Sequence, residues 1–188
     1  YICFRAEAFG LYHDDGVYLV NAKSLAEHGT YSTESLPNPI PQTKYPILYP
    51  LILALLLKIN QNIPANLWLL KLSSLVFAIA WFFLIYRFIS HRYSHTLSYI
   101  ALAFIMASPW ILYMSASLLP DLLFSTLCLG CAMVLDKSRH HIPRYREALI
   151  AALLAGAAFL VNAKGITIII AAILFLLIQR KWKQLILF

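Results

Sequence analysis

Acidic residues are scarce in this chain: eight among 188 residues, against fifteen lysines and arginines. Charged residues of both signs make up only 12% of the sequence and hydrophobic ones 61%, with a mean hydropathy of +0.73. Soluble domains carry roughly 25% charged residues. So few charges cannot cover a water-facing surface, and the expected class is an all-α integral membrane protein bounded by lipid. Cysteine is nearly absent too. The three cysteines are Cys3, alone, and Cys128 and Cys131, which share an apolar run, so no disulfide framework is expected. A metal site on Cys128-Leu129-Gly130-Cys131 would need two further ligands nearby, and none lies there, so packing is the expected role and no metal or cofactor is assigned. The net charge of +7 is not gathered on one face but scattered in short breaks between apolar runs. That pattern argues against nucleic acid and for membrane orientation signals. Internal repeats and low-complexity tracts are also missing.

The polar residues that are present concentrate early. Five of the eight acids, Glu7, Asp14, Asp15, Glu27 and Glu34, fall within residues 5–45. Residues 1–66 therefore read as a loop outside the cytoplasm with juxtamembrane helices and an acidic motif, and residues 67–188 as a transmembrane region of about five spans. Asp15 to His28 has helical spacing, with Tyr18, Ala22, Leu25 and Ala26 on one side and Gly29 as the stop. Pro37, Pro39 and Pro41 predict an extended linker with no regular element before Lys44. Pro50 suits the first turn of a short interfacial helix over Leu51 to Ile59. The expected spans are Leu67–Ile89, then Leu97–Tyr113 and Ser115–Leu135, divided by Ser108-Pro109-Trp110 and by Pro120, and a hairpin of Ala148–Val161 and Ile166–Ile178 turning at Asn162-Ala163-Lys164-Gly165. Lysine and arginine counts orient them. Arg87 and Arg92, then Lys137, Arg139, Arg144 and Arg146, then Arg180, Lys181 and Lys183 mark three cytoplasmic loops, which places residues 5–66, Pro109–Leu119 and Lys164 on the other side. The start at Tyr1 and the finish inside an apolar stretch lead us to expect part of a longer protein.

Asp14 and Asp15 are the sharpest chemical signal. Adjacent acids before a helix suit capping and the helix dipole. A carboxylate at an apolar boundary also suits a general base for an acceptor hydroxyl, and the two roles are compatible. Two carboxylates alone are weak grounds for a divalent cation. Lys44 can be an interfacial lysine with its ammonium in water, or a partner for a lipid phosphate. Lys164 would cost roughly 2.5 to 3.5 kcal/mol at the bilayer centre, so it belongs at an outer turn or in a polar cavity. Asp121 follows Pro120 at a helix start, an ordinary first-turn placement and a candidate substrate contact. His13, Tyr18, Tyr45 and Tyr49 could touch a sugar or headgroup, although aromatics also line membrane interfaces without a ligand.

The order Asp14-Asp15-Gly16-Val17-Tyr18, Lys44-Tyr45-Pro46-Ile47-Leu48-Tyr49-Pro50, Leu118-Leu119-Pro120-Asp121 and Phe159-Leu160-Val161-Asn162-Ala163-Lys164-Gly165 resembles the C superfold of membrane glycosyltransferases. Nearest are the bacterial protein O-mannosyltransferase-like and lipid A aminoarabinose transferase-like enzymes. The resemblance implies a polyprenyl-phosphate-linked sugar as donor, a hydroxyl acceptor, and a bacterial plasma-membrane enzyme acting outside the cytoplasm. The family's first loop carries an acidic pair, commonly Asp-Glu, whose first member is implicated as base. That maps onto Asp14, with Asp15 replacing the Glu. Its Lys-Pro-Pro-Leu segment corresponds to Lys44 through Leu48, shifted by one residue through Tyr45, and implies a lysine on the donor phosphate. Its Lys-Gly pair maps onto Lys164-Gly165. A transporter or flippase that only binds a lipid-linked or anionic substrate is the competing class, and would be expected to echo its first half in a second.

Overall fold

The computed structural model describes residues 13–33, 38–63, 65–140 and 145–188. Expectations resting on Cys3, Glu7, Glu34, Pro37 and Arg144 lie outside the described residues. The described chain is mostly helical. Helix α1, His13–Glu27, ends at Gly29, whose φ of +68° is the left-handed stop its position predicts. A two-residue antiparallel ribbon follows, with Ser32–Thr33 (β1) paired to Ile40–Pro41 (β2). The proline-alternating linker is thus not free of regular structure, because Pro41 closes an edge strand, where a missing N–H costs nothing. The ribbon is tied to α1 by Ser24, whose hydroxyl donates to the Thr30 carbonyl at 2.7 Å and lies 2.9 Å from the Ser32 hydroxyl.

Helix α2, Leu48–Ile59, includes Pro50 in its first turn. Its buried face, Tyr49, Leu53, Ala54 and Leu57, joins Tyr18, Leu19 and Ala22 of α1 in the largest apolar cluster. Leu25 and Ala26 pack against that cluster, as the helical spacing predicts.

Helix α3, Leu67–Arg92, is the one described helix long and apolar enough by itself to cross a membrane. Helices α4, His95–Met106, and α5, Pro109–Ser115, satisfy the same test only as a pair bent by 77°. The break falls at Ser108-Pro109, where proline removes a helical donor. Helix α6 spans Asp121–His140, so the apolar run expected from Ser115 is helical only from Asp121, the helix start expected after Pro120. Pro120 disfavours the helical conformation at Leu119, and Ala116 to Pro120 instead form a buried irregular segment. The segment is tied to α3, since the Ser74 hydroxyl donates to the Ser117 carbonyl at 2.6 Å.

Helices α7, Tyr145–Val161, and α8, Ile166–Ile178, are separated by a 3₁₀ turn at Ala163–Gly165, and α9 covers Trp182–Leu187. Ala151 and Ala155 of α7 meet Ala172 and Leu176 of α8 in one cluster with Cys131 of α6. Two helices that share a cluster across so short a turn pack side by side as a hairpin. Cys131 is a packing residue, its thiol 3.5 Å from the Ala151 carbonyl. Thirteen residues of α8 reach roughly 20 Å, short of the ~30 Å hydrocarbon thickness, because Asn162–Gly165 interrupts the apolar run. Among the described helices, α3 alone meets the length and hydropathy of a span by itself, and α4 with α5 meets them as a bent pair.

Candidate active site

The two adjacent acids of α1 divide. Asp14 is exposed, whereas Asp15 is 1% exposed. Neighbours on a helix point about 100° apart, so one carboxylate can meet solvent while the next enters the protein. Asp14 lies inside the first turn rather than ahead of it, and the bond it makes is not a cap. Its Oδ1 accepts from the Tyr45 hydroxyl at 2.5 Å. Asp15 Oδ1 accepts from the Gly16 amide at 2.8 Å.

Lys44 and Tyr45 are held in place by the ribbon. The Tyr31 hydroxyl donates to the Tyr45 carbonyl at 2.8 Å, and the Lys44 amide donates to Gln42 Oε1 at 2.9 Å. Lys44 Nζ stands 5.2 Å from the centroid of the Tyr45 ring, within cation–π range. The Tyr18 ring meets Tyr45 and Tyr49 edge-on, each at 5.2 Å between centroids. Such pairs contribute about 0.5–1.5 kcal/mol beyond burial, so the trio fixes α1 against the Lys44 segment.

Electrostatics follow from this packing. The hydrogen bond to Asp14, then burial, then the Asp14 charge, push the Tyr45 phenol up to about 12. Its proton therefore stays on at neutral pH and is donated to Asp14. Burial, followed by the charges of Asp14 and Asp121 among others, also raises the Tyr18 phenol. Asp121 acts on Tyr49 as well, so the carboxylate at the start of α6 lies within electrostatic reach of the tyrosine trio.

Lys164 is exposed on the turn after α7. Val161, three residues earlier, belongs to the same apolar cluster as Tyr18, Tyr49 and Leu118, which brings the Lys164 turn and the Asp121 turn to the end of the bundle that carries Asp14. No described contact joins Lys164 to Asp14 or Lys44. Of the sequence-expected residues, Asp14, Tyr18, Lys44 and Tyr45 form one contacting group, Asp15 and Asp121 border it, and Lys164 shares its end of the molecule. Among the described residues no three His, Cys, Asp or Glu side chains converge as a metal site would need.

Two buried polar residues were missed by sequence reasoning. Lys71 on α3 is 1% exposed, one turn before Ser74. Its signal was available, since it is the single charged residue of Leu67 to Tyr86. Asn21 on α1 is wholly buried, and neither atom of its amide has a hydrogen-bond partner. Nothing in the local sequence distinguishes it from an exposed helical asparagine.

A helical, apolar chain with an acid, a lysine and tyrosines at one end fits the membrane glycosyltransferases as a class. The sequence model of the dolichyl-phosphate-mannose-protein mannosyltransferase family matches residues 44–188, and the chain belongs to that family, whose members are integral to membranes. No curated protein and no solved structure matches it. The matched stretch opens at Lys44 and takes in Asp121 and Lys164, while Asp14, Asp15 and Tyr18 precede it.

Proposed function

We propose that this chain carries the donor and base site of a transferase that moves a sugar from a polyprenyl phosphate to a hydroxyl acceptor outside the cytoplasm. The observation that carries the reading is the group of an exposed Asp14, bonded on one oxygen by Tyr45, with the Lys44 ammonium over the same tyrosine ring. Tyr45 occupies Oδ1 and leaves Oδ2 of Asp14 for the acceptor. In the reaction the acceptor oxygen forms a bond to the anomeric carbon as the bond from that carbon to the phosphate oxygen breaks. The acceptor proton passes to Asp14, and the pair of electrons leaves with the polyprenyl phosphate. A phosphate leaving group needs no proton when cations meet its charge, and Lys44 and Lys164 are suited to that part. Tyr45 offers its half-buried ring to the sugar and Asp121 a hydrogen-bond acceptor, whereas Tyr18, 4% exposed and packed between Tyr45 and Tyr49, backs the Tyr45 ring rather than touching the sugar as expected. Direct displacement of this kind inverts the anomeric centre.

The test is transfer of a radiolabelled sugar from a panel of polyprenyl-phosphate donors by the purified full-length protein. At least one donor should be turned over, and Asp14→Asn should lower the rate by ~10²- to 10⁴-fold, the usual worth of a positioned base. The fold should survive, because an exposed amide still accepts from Tyr45. Asp15→Asn, at a buried position, should instead reduce thermal stability more than rate. Near-normal turnover by Asp14→Asn would overturn the assignment of the base, and no turnover of any donor by the wild type would overturn the reaction.

A further inference from the structure

At the far end of α3 and α6 lies a cavity of about 420 Å³ that the transfer chemistry does not use. Arg87, His91 and Arg92 line it from the last turns of α3, and Lys137 from α6. Asp136 is the single carboxylate of the lining, and it is engaged by Arg92 at 2.8 Å. The Arg92 guanidinium also stacks on the Phe88 ring, 4.2 Å from its centroid, so this arginine is held from two sides. Arg87 and Lys137 remain exposed and make no ion pair among the described residues. The cavity thus has a surplus of positive charge, and the ligand it suits is an anion. Twenty residues separate Leu67 from Arg87, about 30 Å along a helix, which sets the cavity a membrane thickness from the Asp14 end.

What surrounds the cavity decides the kind of anion. Trp68, Leu72, Val76, Ile79 and Phe83 are exposed large hydrophobics spaced three or four residues apart, so they form one stripe along α3. Arg87 is the next step of that stripe. An acyl chain lying on it would deliver its headgroup to Arg87, and Met133 and Phe88 supply an apolar wall where glycerol would sit. We propose that this cavity binds the phosphate headgroup of an anionic phospholipid in the leaflet opposite the transfer site.

The full-length protein, released from membranes into mild detergent, is tested by native mass spectrometry with phosphatidylglycerol, phosphatidylcholine as the zwitterionic comparator, and inorganic phosphate as competitor. Phosphatidylglycerol should be retained in preference to phosphatidylcholine. Removing both free cations with Arg87→Gln and Lys137→Gln should lower its retention about thirtyfold, from the usual worth of a basic residue near an anionic headgroup. The charge-preserving pair Arg87→Lys and Lys137→Arg should bind within about threefold of wild type. Equal retention of the two lipids by the wild type overturns the proposal even if a variant fails to fold. So does unchanged retention by the double glutamine variant, or an equal loss from Arg146→Gln, which lies on the same basic end but does not line the cavity. Displacement of the lipid by millimolar inorganic phosphate would make this a free-anion site and overturn the lipid assignment.

Discussion

The two ends of the α3–α6 pair handle charge in opposite ways. At the Asp14 end, polar groups bind one another: Ser24 to Ser32, Tyr31 to the Tyr45 backbone, Tyr45 to Asp14. Asp15, Asn21 and Lys71 are buried there as well. At the other end, Arg92 and Asp136 make one ion pair, and Arg87, His91 and Lys137 face outward. Burying polar groups is costly unless their partners are fixed, so the bonded groups of the first end hold one another in place, with Asn21, whose buried amide has no partner, as the exception. Exposed cations over an apolar stripe hold nothing rigidly, and suit a headgroup or an orientation signal. The contrast matches the two proposals, transfer at one end and lipid binding at the other, and it can be broken most sharply by asking whether the ends lie in different compartments.

That measurement has an all-or-none outcome. With Cys3, Cys128 and Cys131 replaced by serine, a cysteine at Asn62, exposed before α3, should react with a membrane-impermeant thiol reagent added to intact cells. One at Tyr93, exposed just after α3, should react only after the cells are opened. Reaction at Tyr93 alone in intact cells would invert the topology and put the proposed site inside. Reaction of both in intact cells would mean that α3 does not cross.

A smaller effect tests whether cations at the two ends do different work. Lys44→Met and Lys164→Met should each weaken donor binding about tenfold, the scale of one charge-assisted hydrogen bond to phosphate, and leave membrane abundance near normal because both side chains are exposed. Arg87→Gln should leave the donor KM unchanged. Donor affinity unaltered in both lysine variants would end their phosphate role, and a matching loss in Arg87→Gln would reduce the comparison to a general effect of net charge.

Which parts of this were legible beforehand follows from the range of each interaction. Gly29 as a stop, Pro50 in a first turn and the break at Asn162–Gly165 are decided by backbone preferences of a few adjacent residues, and the structure has them where the sequence puts them. The start of α6 is equally local: the apolar run from Ser115 crosses Pro120, and the helix begins at Asp121, the helix start that Pro120 marks. The division of Asp14 from Asp15, by contrast, was hidden. It depends on which side of α1 meets α2, a tertiary choice, as does the bond between Tyr45 and Asp14 across thirty-one positions. Lys71 sat in plain view, but in an apolar run a single lysine reads as an interfacial residue until its burial is known.

The finest test contrasts two glycines of the α7–α8 hairpin. Gly165 has an ordinary φ of −59°, so its backbone does not require glycine by handedness. It requires room: a Cβ there would fall on the backbone of Ala158 and Phe159. The turn is tight because the Gly165 amide donates to the Asn162 carbonyl at 2.8 Å, while Asn162 Oδ1 accepts from the Lys164 amide at 3.1 Å. Gly156, in the middle of α7, has nothing within 4 Å of the same added atom. Gly165→Ala should therefore destabilise by about 1–3 kcal/mol through overpacking, whereas Gly156→Ala should stabilise by about 0.4–1 kcal/mol by restricting the unfolded chain. The two should move the thermal midpoint of the purified protein in opposite directions. Gly165→Ala should also weaken donor binding, since widening the turn displaces Lys164. A rise in midpoint for Gly165→Ala would show that the hairpin closes without the close backbone approach, and would detach the glycine from the placing of its neighbouring lysine.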